Sequence, residues 1–349
     1  MHAFTIGRMK TLITAFVAAS LALSVMAASN AGHYERISVH GPSLAGNLAG
    51  DPADRQVSVY LPASYAKQPK RRYPVVYLLH GFTDNDAQWF GQAGKHFVHV
   101  PNAVDATAVN AREMIVVMPN AFTKFAGSMY SNSVVVGDWE TFVARDLVAY
   151  VDSHYRTLAK PASRGLAGHS MGGYGTLRVA MKAPGVFSAF YAMSPCCLAA
   201  SPQPDTRMFV RAAEVRTHEE IAAVDFLSKA MLASAAAWSP NPTKPPLYID
   251  LPVVDGKPVP EVAAAWAANA PVTMLHQYIP ALKTYRAIAI DSGDKDAMIA
   301  PASRQLHELL DRYSIAHDFE IYDGDHLNRI ERRLTDKVLP FFATHLEMK

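Results

Sequence analysis

The chain has 349 residues, half of them hydrophobic and 18% charged, with a formal net charge of +2 and two cysteines. Such a length and composition describe a globular protein with enough core to fold without disulfide or metal staples. A near-neutral charge excludes a nucleic-acid binder, which would carry a basic face or stripe.

Residues 1–27 read as a secretory signal peptide. Arg8 and Lys10 precede an uncharged apolar run from Thr11 to Ala28, and small residues follow. The pattern predicts cleavage after Ala27, or as late as Ala31, and a secreted or periplasmic protein. Those two cations account for the whole positive excess, so the remaining chain is neutral. No later stretch is apolar and long enough to span a bilayer, so no stable membrane insertion is expected after cleavage.

From there the pattern alternates. "ERISVHG" and "RQVSVYLP" alternate apolar and polar residues, as antiparallel strands do. "RRYPVVYLLHGF" and "AREMIVVMPN" are continuous apolar runs, as in strands buried on both faces, with a helix predicted over "NAVDATAVN" between them. "DWETFVARDLVAYVDSHYRTL" carries Val143, Leu147, Val151 and Tyr155 at four-residue spacing and predicts an amphipathic helix. "RGLAGHS" is a strand and "MGGYGTLRVAMKAP" a helix. "VFSAFYAMSP" and "YRAIAIDSG" are buried strands, and "ASRQLHELLDRYSI", "HDFEIYDG" and "LNRIERRLTDKVLPFFATHL" read helix, strand, helix. Repeated strand–helix units predict an α/β fold, with a mostly parallel sheet covered on both faces, built from residues 33–200 and 284–349. Residues 201–283 break the alternation, are too long for a simple crossover, and are expected to form a cap inserted between two strands. The alternative is an enlarged crossover on the flank of the sheet. Cys196 and Cys197 are adjacent and could bond only through a strained eight-membered ring; two buried thiols at a strand end are expected.

The chemistry gathers at "GHSMG", residues 168–172, which matches G-x-S-x-G between a strand and a helix. A sharp strand-to-helix turn lifts Ser170 Oγ off the sheet edge, and the flanking glycines remove side chains that would collide. The helix N-terminus then aims free N–H groups at a developing oxyanion. The fold demands a second N–H from the loop after an earlier buried strand. "YLLHGF" supplies it, with Phe82 as partner to Met171. The chain order must then run nucleophile, acid, histidine. Among the histidines after the acid loop, His326 alone sits in a loop directly after a strand. The acid is Asp291, Asp294 or Asp296, all in "AIDSGDKD", and spacing does not rank the last two.

The set "YLLHGFTDNDAQWF", "IVVMPN", "GHSMGGYGT", "DSGDKD" and "YDGDH" resembles the esterase D family of α/β-hydrolases. That group includes feruloyl esterases, S-formylglutathione hydrolases, siderophore esterases and antigen 85-type mycolyltransferases. The resemblance implies an α/β-hydrolase fold and a serine carboxylic-ester hydrolase that uses no cofactor and no metal. It acts through an acyl-enzyme on small or polysaccharide-linked esters, feruloyl-type ones among them. The family's acid, three residues after the glycine of its loop, falls on Asp296, and Asp294 becomes a loop-ordering neighbour. Two departures stand out: histidine precedes the serine where many relatives have leucine, and the 201–283 segment is longer. Expected pocket residues are His80, Trp89, Tyr130, Asn132, His169 and Trp238, with plain packing as the alternative for each.

Other readings are weaker. "HELLD" at His307 lacks the second histidine of H-E-x-x-H, and "DSGDKD" lacks the rest of a calcium loop. Acyl transfer to a non-water acceptor could use the same triad. A non-catalytic binding protein would normally have lost a triad member, and none is missing.

Overall fold

The computed structural model describes residues 31–107, 112–199 and 204–349. The expected signal peptide therefore lies outside the described residues, apart from the later cleavage position at Ala31. Eight strands form one sheet: β1 His33–His40, β2 Asp54–Leu61, β3 Val75–Leu79, β4 Ile115–Pro119, β5 Arg164–His169, β6 Ala189–Met193, β7 Ala287–Gly293 and β8 Asp318–Tyr322. Their spatial order is β1-β2-β4-β3-β5-β6-β7-β8. β1 pairs antiparallel with β2, and β2 with β4; every other pairing is parallel.

Strand periodicity divides the core into two layers. Val75, Tyr77, Leu79, Leu166 and Ile290 point to one face, and Val76, Leu78, Ala167, Tyr191 and Ala289 to the other. Helices cover both faces. Those used below are α1 Val100–Thr107, α2 Leu147–His154, α3 Met171–Lys182, α4 Phe226–Trp238, α5 Pro260–Ala268, α6 Pro271–Leu282, α7 Ala300–Arg312 and α8 Leu339–His345. The amphipathic run before β5 is helical from Trp139 to His154 but contains a π-helical turn at Phe142–Asp146; a second such turn, Leu334–Val338, precedes α8.

The long segment between β6 and β7 does not build a separate body. It leaves and re-enters at neighbouring strands, since Ala287 pairs with Ala189. Its Leu232, Trp238, Trp266 and Leu275 share one core with β3 and α3. Hydrogen bonds tie it down, among them Tyr174 Oη to Asn269 O, Ser133 Oγ to Ala236 O, and Tyr285 Oη to Ala180 O. One edge of it reaches the β3 loop, where Phe226 at the start of α4 meets Phe82 edge-on at 5.5 Å between ring centres.

Register fixes which residues share the sheet's C-terminal edge. Leu79 lies opposite Gly168, His169 opposite Met193, Met193 opposite Asp291, and Gly293 opposite Tyr322. The loops after β3, β5, β7 and β8 therefore open side by side. Ser170, just beyond β5, has φ 57° and ψ −114°, a strained conformation for a residue with a side chain. Two glycines make this turn possible. A Cβ on Gly172 would fall 2.0 Å from Leu79 O, and one on Gly168 would fall 2.3 Å from Gly172 O. Both obstacles are backbone and cannot swing away. Gly172→Ala should therefore cost about 3 kcal/mol, the upper range for overpacking. Urea unfolding would read this, and an unchanged midpoint would show that the close approach is not required.

Candidate active site

At the sheet edge, Ser170 Oγ lies 2.9 Å from His326 Nε2, and His326 Nδ1 lies 2.5 Å from Asp296 Oδ2. Donors and acceptors assign themselves. Asp296, ionised, can only accept, so Nδ1 carries the proton and Nε2 is left to accept from the serine hydroxyl. Asp296 is buried, whereas the His326 side chain keeps a third of its surface exposed. A buried carboxylate, an imidazole and a half-buried hydroxyl in this relay can move the serine proton to His326 as Oγ attacks.

The loops are pinned from several sides. The Ser170 N–H donates to Met193 O, and Ser170 O accepts from Tyr174 N and Cys196 N. Asp294 does not face His326. It accepts from Gly324 N at 3.0 Å, while its own N–H donates to Tyr322 O, so it ties the acid loop to the histidine loop. Asp291 is fully buried and belongs to a different network: its Oδ2 accepts from Tyr191 Oη and from the Arg333 guanidinium at 2.6 Å. Burial pushes its carboxyl above the usual range, against the pull of Arg333. Geometry thus selects Asp296 among the three acids.

The side chains of the two residues expected to supply the oxyanion donors approach a common neighbour. A Cβ on Gly127 would strike both the Phe82 ring and Met171 Sδ. Met171 opens α3, so its N–H is in the first turn and lacks an intrahelical acceptor. In the β3 loop, Thr83 N and Asp84 N donate to Ala126 O and Gly81 O, and among the described residues Phe82 N donates to no backbone carbonyl.

The pocket residues expected from the sequence fare differently. His80, Trp89, Tyr130 and His169 are buried beneath the site rather than lining it. His80 Nδ1 donates to Gly81 O and its Nε2 accepts from Ala121 N, which shapes the loop carrying Phe82. Tyr130 packs over Gly175 of α3 and donates to His80 O at 3.3 Å. Trp89 Nε1 donates to Asp84, which also accepts from His96. Although burial works against it, these two donors hold Asp84 below the usual carboxylate range. Trp238 is wedged between Tyr174 and Trp266, with its Nε1 on Ser131 Oγ. Asn132 is exposed, but its amide is committed to Thr141 on both sides. Five of the six expected pocket residues are thus buried and Asn132 is exposed, and each makes at least one hydrogen bond to a local partner. The aromatic that does face outward, Phe226, is 61% exposed and had no motif to mark it.

His169 has a more specific position. Its ring lies 4.7 Å from that of His326, and its Nε2–H donates to the His326 carbonyl at 2.9 Å. Burial, and then the nearby His326, push its pKa down to about 3. Cys196 and Cys197 are free thiols, half-buried, with sulfurs 2.8 Å apart. The Cys197 contact and burial push the Cys196 thiol well up.

Comparisons with known proteins place this geometry. The family model Esterase, described as "Putative esterase", matches residues 52–330. Esterase Rv1288 of Mycobacterium tuberculosis is 39% identical over 138 residues, covering 38% of this chain and 27% of that protein. The chain thus spans about a quarter of the length of the curated relatives it first matches. Among solved structures, a ferulic acid esterase superposes with TM-score 0.64 at 20% identity, over 91% of this chain and 99% of that one. An S-formylglutathione hydrolase from Agrobacterium tumefaciens superposes with TM-score 0.59 at 18% identity, over 91% and 97%. The fold is that of the α/β-hydrolases, and by its match across residues 52–330 the chain belongs to the esterase family.

Proposed function

We propose that this protein is a serine carboxylic-ester hydrolase working through Ser170, His326 and Asp296. The observation that carries the reading is His326 bridging Ser170 Oγ and Asp296 Oδ2 at the ends of three parallel strands. Ser170 Oγ attacks the ester carbonyl while His326 Nε2 takes its proton. The tetrahedral oxyanion accepts from the N–H groups of Phe82 and Met171, each donor contributing about 3–4 kcal/mol to the rate. His326 then protonates the leaving alkoxide, which departs as the alcohol and leaves an acyl-Ser170 ester. Water then attacks the acyl carbonyl as it gives a proton to His326, and the acyl–Oγ bond breaks as His326 returns that proton to Ser170 Oγ, releasing the acid. Asp296 holds the Nδ1 tautomer and stabilises the imidazolium throughout.

The acyl group rests on Phe82 and Phe226, an edge-on aromatic pair at the rim. That surface favours a planar, apolar acyl group of feruloyl type, the chemistry named for one structural neighbour. On the other side of His326, a groove of about 690 Å³ lined by Phe97, Leu327, Glu331 and Arg332 gives room for an extended polar alcohol. The basic–apolar–small pattern of residues 1–31 supports export before action.

Ser170→Ala should lower turnover of methyl ferulate and p-nitrophenyl acetate at least about 10⁴-fold, and Asp296→Asn about 10³–10⁴-fold. Unchanged turnover in Ser170→Ala would remove the triad, and turnover of the acetate without the ferulate would remove the aromatic acyl site. When the full chain is expressed in a secreting bacterium, N-terminal sequencing of the exported protein should begin at Ala28 or Gly32; an intact Met1 would refute export by this signal.

His169 gives a pH signature. Its folded pKa lies below the ordinary imidazole value, so the unfolded chain binds its proton more readily. The stability tied to the neutral ring is complete above about pH 6.5 and is lost as pH falls toward 3. His169→Leu should flatten this part of the stability–pH curve. It should also lower kcat roughly threefold to tenfold, by releasing the His326 carbonyl, with KM little changed. Equal pH slopes in variant and parent would show that His169 is not buried as a neutral group.

A further inference from the structure

The "HELLD" stretch has aspartate at position 311, where a helical metal motif would place its second histidine. The fold brings an imidazole there by another route. α7 ends at Arg312, the chain turns, and His317 arrives just before β8 with its Nε2 2.8 Å from His307 Nδ1. Asp311, one helical turn beyond His307, has its Oδ2 3.5 Å from His307 Nε2. One ligand atom from each of the three residues lies within 4.8 Å of the others. We propose that His307, Asp311 and His317 form a binding site for a divalent transition metal of the zinc type, separate from the Ser170 centre.

Three features support a site rather than a chance pair of histidines. First, His317 Nδ1 donates to Ile315 O at 2.8 Å. That bond fixes the proton on Nδ1 and leaves Nε2 as a lone pair aimed at His307, the outer-shell arrangement that metal-ligating histidines use. Second, the His307 ring is stacked on Phe319 at 4.3 Å and 10°, which holds its plane toward His317. Third, the donor set is two imidazoles and one carboxylate, which suits zinc, cobalt, nickel or copper and not magnesium or calcium. Both histidines are partly exposed and Asp311 is exposed, so an ion can enter and keep a water as fourth ligand.

In the metal-free state one proton bridges the facing nitrogens. On binding, His307 remains a neutral imidazole and carries that proton on Nε2 instead, which frees Nδ1 for the metal. The two nitrogens then separate to roughly 3.3 Å, the spacing of two 2.0 Å bonds at a tetrahedral angle. His317 precedes β8 and His326 follows it, so the site lies at the end of the sheet opposite Ser170. A bound ion would clamp the end of α7 to the start of β8, an edge strand paired on one side only.

The test is calorimetric titration of the EDTA-stripped protein with Zn²⁺, alongside thermal unfolding. The expected result is one equivalent bound with micromolar or tighter Kd and a rise in Tm of about 5 °C at a hundredfold excess over Kd. Mg²⁺ should give neither. His307→Ala and His317→Gln should each weaken binding at least tenfold, and Ser170→Ala should not. If His307→Ala fails to fold, His317→Gln, which keeps a hydrogen-bonding side chain of similar size, decides. Absence of the equivalent in the parent, or an unchanged titration in His317→Gln, would overturn the proposal.

Discussion

The site depends on one close contact between backbones, where Gly172 of α3 lies against the carbonyl of Leu79 at the end of β3. This contact lets the chain leave β5 and enter α3 in a single residue, with Ser170 at positive φ. It also brings the end of β3 against the first turn of α3. Parallel register does the rest, since strands aligned at their C-terminal ends open their loops at the same level. The geometry of four separate loops is thereby reduced to the pairing of five strands and one glycine contact.

Around Ser170, His326 and Asp296 lies a layer of buried polar side chains. His169 touches His326 and is backed by Trp89, whose indole reaches Asp84, itself bonded to His96. His80 and Tyr130 do the same under the Phe82 loop. Because burial keeps His169 neutral, the imidazole beside the base cannot compete as a second base or repel the imidazolium that forms. Hydrogen bonds fix a neighbouring group more narrowly than apolar packing can, because each carries a direction.

Much of this was legible in the sequence. The apolar runs marked β3, β4, β6 and β7 as buried strands and "RGLAGHS" marked β5 as a strand; the required chain order pointed to Ser170, an acid of the β7 loop and His326, and the family resemblance pointed to Asp296. Spacing alone could not choose between Asp294 and Asp296; the difference is whether a carboxylate meets Gly324 N or His326 Nδ1, a matter of a few ångströms of loop path. Pocket residues were the least legible. Aromatics beside a motif look alike in sequence whether they face solvent or core, and Trp89, Tyr130 and Trp238 all turned inward because each polar atom found a protein partner. Phe226 was hidden for the opposite reason: it begins a helix within the insertion, 56 residues past Ser170, and only tertiary packing carries it to Phe82. The His307–His317 pair was missed because it joins a helix to a strand across a turn, where no helical spacing applies.

The insertion between β6 and β7 leaves and returns at strands that are hydrogen-bonded neighbours, and it lays Phe226 on the rim of the site. Its length is therefore free of any demand from the sheet. The sheet holds Ser170 and Asp296 in register whatever lies between β6 and β7, while the insertion adds Phe226 beside the Phe82 of the β3 loop. The strand register and the Phe226 side of the rim are thus set by separable parts of the chain, so that a change in the second leaves the first in place.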